Sequence, residues 1–233
     1  MTGRVVPRWS YKPGPDVDPV PPPGLVRAQA IARAAAAAGL QEALPGHTEQ
    51  DIDIAIGACL RSHQVDHVWT ITNVGAGGNA RICFPTRPPT DNPVAARDVV
   101  MVDVHPVTPD GSWGDCTRCA VVGDYPQATA ALADLTAIHH ETLAACRPGM
   151  AAQDLFGHCH DRLHAEGFVL LDLLANIGHS LTSGAAYLHQ FIDAGNPAPM
   201  WAAWAIEPFA ERGGIAVKVE DLVWFGRDSC VVI

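Results

Sequence analysis

Five side chains of the types that bind metal ions are spread along the chain, and each lies in a local pattern that would present it to a shared site. Carboxylates together with an imidazole can hold a pair of divalent ions such as Mn²⁺, Fe²⁺, Co²⁺ or Zn²⁺. We therefore predict a centre of two divalent metal ions. Its five predicted ligands are Asp103, Asp115, His179, Glu207 and Glu220.

The sequence around the two aspartates predicts a β-hairpin. Asp103 lies near the end of the apolar run DVVMVDV, which is typical of a strand buried on both faces. A carboxylate in such a strand loses its hydration unless it binds a partner. Asp115 follows the turn sequence PVTPDGSWG and begins a second strand, DCTRCAVV. The two aspartates are therefore expected to lie side by side.

The other three predicted ligands also lie in strand-forming sequence. His179 is in NIGHSLTSG, where the neighbouring glycine lets the backbone approach a site closely. Glu207 is in WAIEPF and Glu220 is in AVKVEDLVWF, so each is an acid in an apolar strand.

These blocks, taken in order, resemble those of the pita-bread metallopeptidases, the family of methionine aminopeptidases, Xaa-Pro aminopeptidases and prolidases. The resemblance extends from about Ala28 to the C-terminus. It implies an α+β pita-bread fold, with two pseudo-symmetric halves around a central curved antiparallel sheet. It also implies that Asp115 and Glu220 bridge both ions, and that Asp103 and His179 bind one ion each. The catalytic role it implies for Glu207 is to bind one ion and shuttle the proton.

An internal repeat supports two related halves. The segments PGHTEQDI, from Pro45, and PGMAAQDL, from Pro148, share the pattern P-G-x-x-x-Q-D-[IL] before a helical sequence. A Pro-Gly pair before a helix is common in proteins, but RDVVMV at Arg97 is also echoed by EDLVWF at Glu220. Each half is thus expected to contribute helices and a strand.

Composition narrows the classes of partner and location. The formal net charge of −10 argues against nucleic acid or an anionic membrane as a partner. No apolar run approaches the ~20 residues of a membrane span, and the N-terminus lacks a signal-peptide pattern. Seven cysteines, an odd number in apparent core elements, fit reduced thiols. We therefore expect a cytoplasmic protein that acts on a small molecule, an amino-acid-like compound or a short peptide.

The chain is expected to form one domain preceded by an arm. Residues 1–24 are rich in proline and are predicted to be an extended arm, either loose or wrapped around a partner in a homodimer. Residues 25–233 are predicted to form the pita-bread domain. Within it, VWTITNVGAGGNARICF predicts two strands around a Gly-rich turn. Helices are predicted at 25–44, 49–61, 126–146 and 151–166.

The chain departs from the family pattern in residues that would contact a peptide. A family histidine would fall near Thr86, yet no histidine occurs between His67 and His105. A second family histidine has its nearest candidate in His189, ten positions after the metal-binding one, and we assign it a catalytic role. Lys218 replaces the family arginine two positions before the last glutamate.

Several residues near the blocks are candidates for substrate contacts. Trp113 and Tyr187 border the blocks and could line an apolar pocket, although core packing is an alternative for such aromatic residues. Thr86 and Lys218 complete the predicted substrate-binding set. His105, two positions after the first aspartate, is expected to lie on the same strand face and support the ligands.

Two classes of enzyme remain open at this point. The first is a dinuclear metal-dependent hydrolase of a small amide or peptide, similar to an Xaa-Pro dipeptidase or aminopeptidase. The second is a non-peptidase metalloenzyme on the same fold, because the family resemblance extends to creatine hydrolases and a sulfonium C–S lyase, and iron in such a site could activate oxygen in a biosynthetic reaction. A metal-free binding module is the third alternative, and retention of all five ligand types argues against it.

Overall fold

The computed structural model describes residues 14–83, 87–181 and 190–233. Its α-helices are α1 (Pro23–Gln41), α2 (Glu49–Ser62), α3 (Pro126–Ala145) and α4 (Ala152–Ala165). Its strands are β1 (His67–Val68), β2 (Asn73–Ala76), β3 (Asp98–Val104), β4 (Pro106–Val107), β5 (Cys116–Val122), β6 (Val169–Leu170), β7 (Asn176–Ser180), β8 (Phe191–Asp193), β9 (Ala202–Ile206), β10 (Phe209–Arg212), β11 (Ile215–Lys218), β12 (Asp221–Phe225) and β13 (Cys230–Val232).

All pairings between these described strands are antiparallel. In the first half, β3 lies between β2 and β5 in a three-stranded sheet. In the second half, five strands pair in the order β13-β12-β9-β7-β8. A three-stranded group, β11-β10-β6, and a pair, β1-β4, complete the pairings. Of the predicted ligands, Asp103 and His179 lie in the inner strands β3 and β7, and Glu207 directly follows the inner strand β9.

Local sequence features explain where the first two helices form. α1 begins with Pro23 in its first turn, and its alanine-rich sequence favours a helix. α2 begins with a capping box, in which the Thr48 hydroxyl accepts from the backbone of Asp51 and the Asp51 carboxylate accepts from the backbone of Thr48. α1 ends at Gln41, three residues before the predicted end, and the other three helices lie within one residue of their predicted bounds.

The two Pro-Gly segments have matching structures. Gly46 and Gly149 both have positive φ angles, 92° and 67°, and each donates its backbone N–H to a residue in a later segment. In each half an isolated antiparallel bridge then ties the start of a helix to a proline; the bridged pairs are Thr48 with Pro93 and Ala151 with Pro199. The repeat in the sequence therefore corresponds to a repeated local structure.

The Gly-rich segment differs from its prediction. Residues Gly77–Arg81 form a short 3₁₀ helix after β2, and β2 pairs with β3. The second strand predicted after the Gly-rich turn is absent from the described residues, so the hairpin predicted around this turn is wrong, and β1 pairs with β4. Glu49 explains the outcome, because its carboxylate accepts hydrogen bonds from the Ala76 backbone and from the Asn79 side chain, which holds the segment against α2.

Two main apolar clusters lie in the two halves of the molecule. One surrounds α1, α2 and the β3 strand, and the other surrounds α3, α4 and the second-half strands. The described end of the predicted arm packs on the domain, since Val17 is buried and the Trp224 indole donates to the Asp18 carbonyl oxygen (2.9 Å). Among the described residues, no helix has the length and apolar character needed to cross a lipid bilayer.

Candidate metal centre

The first-half hairpin brings the two predicted aspartate ligands together. β3 and β5 pair along seven residues, which places Asp103 opposite Thr117 and Asp115 just before β5 begins. The backbone of Asp115 is fixed by the buried Gln29 of α1, whose amide donates to the Asp115 carbonyl oxygen (2.7 Å) and accepts from its N–H (2.9 Å). The predicted hairpin is therefore present, with Asp115 held from behind by a helix.

The second half positions His179 and Glu207 through a close approach of β7 and β9. Gly178 has a φ of 149°, and a Cβ atom there would lie 2.0 Å from the Ala205 carbonyl oxygen. Glycine is thus needed for the strands to pair as they do. His179 lies in β7 and Glu207 follows the last residue of β9, and His179 Nε2 is 3.3 Å from Glu207 Oε1.

Glu220 approaches the centre from the junction of β11 and β12. The sequence had predicted that it lies within a strand, and this detail of the prediction is wrong. Its side chain is completely buried, and its Oε2 accepts a hydrogen bond from the Thr117 hydroxyl (2.8 Å). The Arg118 guanidinium donates to the Glu220 backbone oxygen. Residues of the first-half strand β5 therefore hold this second-half glutamate in place.

Asp115 faces two imidazoles with its two oxygens. Its Oδ1 is 3.5 Å from Nε2 of His105, and its Oδ2 is 3.5 Å from Nε2 of His179. His105 Nε2 is also 3.1 Å from Asp103 Oδ1. One carboxylate thus separates two groups of polar atoms, which is the arrangement that a bridging ligand requires.

Three buried carboxylate oxygens at the centre accept no hydrogen bond from the described residues. They are Asp103 Oδ1, Asp115 Oδ2 and Glu220 Oε1. A buried acceptor without a partner is costly, and a cation satisfies it. Because the surrounding donor set consists of carboxylates and imidazoles, it fits divalent ions of the Mn²⁺, Fe²⁺, Co²⁺ or Zn²⁺ type.

Lys218 links the two halves of the centre. Its buried Nζ lies 2.5 Å from Glu207 Oε2 and 3.1 Å from Asp103 Oδ2. It also donates to the sulfur of Cys83 (3.3 Å), whose thiol in turn donates to Asp103 Oδ2 (3.2 Å). The sequence did not indicate Cys83, because the segment RICFP carries no motif and its contact with Asp103 exists only in the folded chain.

The protonation tendencies of the carboxylates differ across the centre. Burial raises the pKa of Glu220 to about 8, with a further contribution from the Glu207 carboxylate. Burial and the Glu220 carboxylate likewise raise the pKa of Asp115 well above its usual value. Burial also opposes ionisation of Asp103, but His105 and Lys218 hold its pKa well below the usual range. Cationic side chains thus stabilise the ionised form of Asp103, whereas they do not offset the effect of burial on the pKa of Asp115 and Glu220.

The centre opens onto a cavity of about 270 Å³. The ring of Trp69 forms part of its wall and packs edge-on against both imidazoles, with centroid distances of 4.9 Å to His105 and 5.9 Å to His179. Trp113 stacks on Trp69 (5.4 Å between centroids) and is not among the residues that line the cavity. Further described lining residues, which the sequence did not single out, are Asn73, Asp172, Leu173, Leu174, Asn176, Phe191 and Phe209.

Three predicted site residues lie outside the described residues. They are Thr86, Tyr187 and His189. The proposed contacts of these side chains with substrate stay predictions.

The family assignment follows from the model of metallopeptidase family M24, which matches residues 24–226. The chain belongs to this family. The α+β pita-bread fold expected from the resemblance is thereby confirmed. Family members use divalent metals, and the carboxylate–imidazole cluster of this M24 chain agrees with that property.

Solved structures support the fold. The chain is similar to an X-Pro aminopeptidase from Thermotoga maritima MSB8 (18% identity, TM-score 0.75), covering 90% of this chain and 59% of that one. It is also similar to the dipeptidase PepE from Mycobacterium ulcerans (24%, TM-score 0.75; 92% and 58%) and to a prolidase from Pyrococcus horikoshii OT3 (15%, TM-score 0.77; 92% and 62%). The M24 chain therefore spans about three-fifths of the length of these proteins. No match was found among curated proteins.

Proposed function

We propose that this M24 chain holds two divalent ions and hydrolyses the amide bond of a short peptide or an amino-acid-like compound. The observation that carries this proposal is the orientation of Asp115, whose two oxygens face separate groups of polar atoms. The proposed ligands are those expected from the sequence: Asp103, Asp115, His179, Glu207 and Glu220.

The proposed roles of the ligands follow from their contacts. Asp115 is assigned to bridge the ions, since its two oxygens face separate groups of polar atoms, and Glu220 is assigned as the second bridging ligand because the family resemblance implies it. Asp103 is assigned to the ion on the first-half side. His179 and Glu207 are assigned to the other ion, because their side-chain atoms lie 3.3 Å apart beside Asp115 Oδ2.

The chemistry of the site combines the ions with a proton-transfer group. Two bound divalent ions would lower the pKa of a shared water molecule and polarise the carbonyl oxygen of the amide. We assign proton transfer to Glu207, which lines the cavity and would take a proton from the attacking water and return it to the leaving amine nitrogen. Lys218 holds Glu207 Oε2 and so fixes the direction in which Oε1 points.

The size and the lining of the cavity favour a small substrate. Its volume of about 270 Å³ is just below the ~300–1,000 Å³ typical of ligand sites, and Trp69, Phe191 and Phe209 give it apolar walls. We propose a dipeptide or a substrate of similar size with one apolar side chain. A cytoplasmic location, a homodimeric state and the substrate contacts of Trp113 and Lys218 remain predictions.

Metal analysis and a substrate panel test this proposal. The protein, loaded separately with Mn²⁺, Fe²⁺, Co²⁺ and Zn²⁺, is expected to retain two ions per chain after removal of excess metal. Each form is then assayed with dipeptides, including Xaa-Pro and Met-Xaa, and with modified amino acids. Retention of no metal by a folded protein under these conditions would contradict the proposal.

A non-peptidase reaction is the second candidate, and a feature of the sequence favours it. The family histidine expected near Thr86 has no counterpart between His67 and His105. Loss of a transition-state hydrogen-bond donor typically lowers turnover ~10²–10³-fold, so ordinary dipeptides are expected to be poor substrates. Consumption of oxygen by the Fe²⁺ form with a modified amino acid, and no cleavage of dipeptides by any form, would select this candidate.

A further inference from the structure

We infer that His105 is a sixth metal ligand, so that each of the two proposed ions binds one imidazole. The inference rests on the proposed dinuclear centre and adds a residue to it. In the family pattern [IV]-D-x-G, the position two residues after the aspartate is glycine, whereas this chain has His105. The family ligand set therefore does not include this side chain.

The position of His105 follows from the strand. β3 ends at Val104, and residues two apart in an extended chain point to the same side, so His105 follows Asp103 into the centre. Its ring is buried, with 5% of the residue exposed. A buried imidazole that lines the cavity needs a partner for its Nε2 atom. The atoms that face Nε2 are the oxygens of Asp103 and Asp115.

The distances suit a shared ion. His105 Nε2 is 3.1 Å from Asp103 Oδ1 and 3.5 Å from Asp115 Oδ1, and one ligand atom from each of the three residues lies within 4.8 Å of the others. Bonds of about 2.0–2.2 Å to an ion separate two ligand atoms by about 2.8–3.6 Å at octahedral or tetrahedral angles. The His105 nitrogen is therefore spaced from the oxygen of each carboxylate as a ligand of one ion would be.

The second half offers a matching group of atoms. His179 Nε2 lies 3.3 Å from Glu207 Oε1 and 3.5 Å from Asp115 Oδ2. Each group thus has one terminal carboxylate, one imidazole and one oxygen of Asp115. Trp69 packs edge-on against both imidazoles at the same interplanar angle of 77°, so one side chain orients both rings.

The additional imidazole has a consequence for the choice of metal. Carboxylate-only sites suit Mn²⁺ and Mg²⁺, whereas imidazole suits Zn²⁺, Fe²⁺ and Co²⁺. With His105 as a ligand, the first-half ion is bound by nitrogen as well as oxygen. We therefore expect this position to prefer Zn²⁺ or Co²⁺ over Mn²⁺, and we expect replacement of His105 to weaken that preference.

The first test counts imidazoles in the unaltered protein. X-ray absorption of the Zn²⁺-loaded or Co²⁺-loaded protein reports the average number of imidazoles per ion from the scattering of the outer ring atoms. One imidazole per ion is expected if both His105 and His179 bind. An average of half an imidazole per ion, with two ions bound, would overturn the inference and leave the dinuclear centre standing. Absence of bound metal would instead contradict the proposed function.

The second test removes the ring. His105→Gly restores the family residue, and His105→Asn retains a hydrogen-bond donor towards Asp103. Both variants are expected to keep one ion and to bind the other ~10²-fold more weakly or worse, since even outer ligand partners contribute 10–100-fold. His67→Ala removes an exposed histidine of neighbouring β1 and is expected to bind both ions normally. Normal binding of both ions by the His105 variants would assign the residue a supporting role only.

Discussion

The two halves of the candidate metal centre are built from different ranges of sequence. In the first half, Asp103, His105 and Asp115 come from a thirteen-residue segment of one hairpin. In the second half, His179, Glu207 and Glu220 come from β7, from the end of β9 and from the β11–β12 junction. A similar set of polar atoms can thus be assembled by local pairing or by the packing of distant strands.

The two halves of the candidate centre depend on different contacts. The first-half hairpin is held by seven paired positions and by the amide of Gln29 behind Asp115. The second half depends on the close approach of Gly178 to the Ala205 carbonyl oxygen and on the hydrogen bond of Thr117 to Glu220. We therefore expect a substitution at Gly178 to disturb the proposed second-half ion position more than the other, whereas changes at Asp115 and Glu220, the proposed bridging ligands, disturb both.

Replacement of Asp115 should have the largest effect, because this residue is proposed to bind both ions. Asp115→Ala is expected to remove both ions together and to lower turnover by ~10³-fold or more, since the ions contribute several kcal/mol to the reaction. Elemental analysis and a rate assay measure the two effects. Asp110→Ala alters an exposed aspartate of the same hairpin turn and should leave both quantities unchanged. Loss of one ion alone would show that Asp115 does not bridge.

Replacement of Lys218 should remove the positive charge that contacts a carboxylate of each half, Asp103 and Glu207. Lys218→Met leaves Asp103 Oδ2 and Glu207 Oε2 without their ammonium partner in a buried site. The free energy of unfolding of the metal-free protein is expected to fall by about 3–5 kcal/mol, the usual effect of breaking a buried ion pair. Denaturant titration measures it. Lys218→Arg keeps the charge and should lose less; equal losses in the two variants would argue against an electrostatic role.

Replacement of His189 tests whether the second half also supplies an acid–base group. His189→Ala is expected to leave the metal content unchanged and to lower turnover ~10²-fold or more. His158→Ala, at an exposed position of α4, provides the control. If His189→Ala and the parent have equal turnover, the site has no histidine at either family position, and the non-peptidase candidate moves ahead of the hydrolase.

Replacement of Gly178 should have the smallest effect and a local one. Gly178→Ala is expected to lower the free energy of unfolding by about 1–3 kcal/mol, because alanine is strained at this φ and meets a carbonyl oxygen. The second-half ion should also be bound more weakly than the first-half ion. Gly157→Ala lies in α4 with no atom near the added methyl group, and should instead stabilise by about 0.4–1 kcal/mol. Equal weakening of both ions would contradict the expected independence of the halves.

Local sequence determined which parts of the structure could be predicted. The hairpin of Asp103 and Asp115 was predicted because strand, turn and strand follow one another in the chain. The helices were predicted from the cap at Thr48 and from the alanine-rich run of α1. The order of the blocks, together with the strand-forming sequence around each residue, indicated His179, Glu207 and Glu220, whose roles as ligands stay predictions.

The remaining features depend on contacts between distant segments. The pairing of β1 with β4 and the 3₁₀ helix at Gly77–Arg81 follow from long-range partners, so the local Gly-rich signal was misleading. Cys83 and Trp69 reach the centre through tertiary packing alone, and no residue pattern near them indicates it. Glu207 and Glu220 lie at the ends of strands because the strand bounds depend on pairing partners.

The paired bridges at the starts of α2 and α4 have a consequence for the order of folding. Thr48 with Pro93, and Ala151 with Pro199, each close a segment of fewer than fifty residues, whereas Thr117 reaches Glu220 across 103 residues. Because loop closure becomes less favourable with length, we expect each half to form before the contacts of the centre do. On this view the proposed ions would bind only the completed fold, and each ion at a hundred times its Kd would add about 2.7 kcal/mol to the stability by mass action.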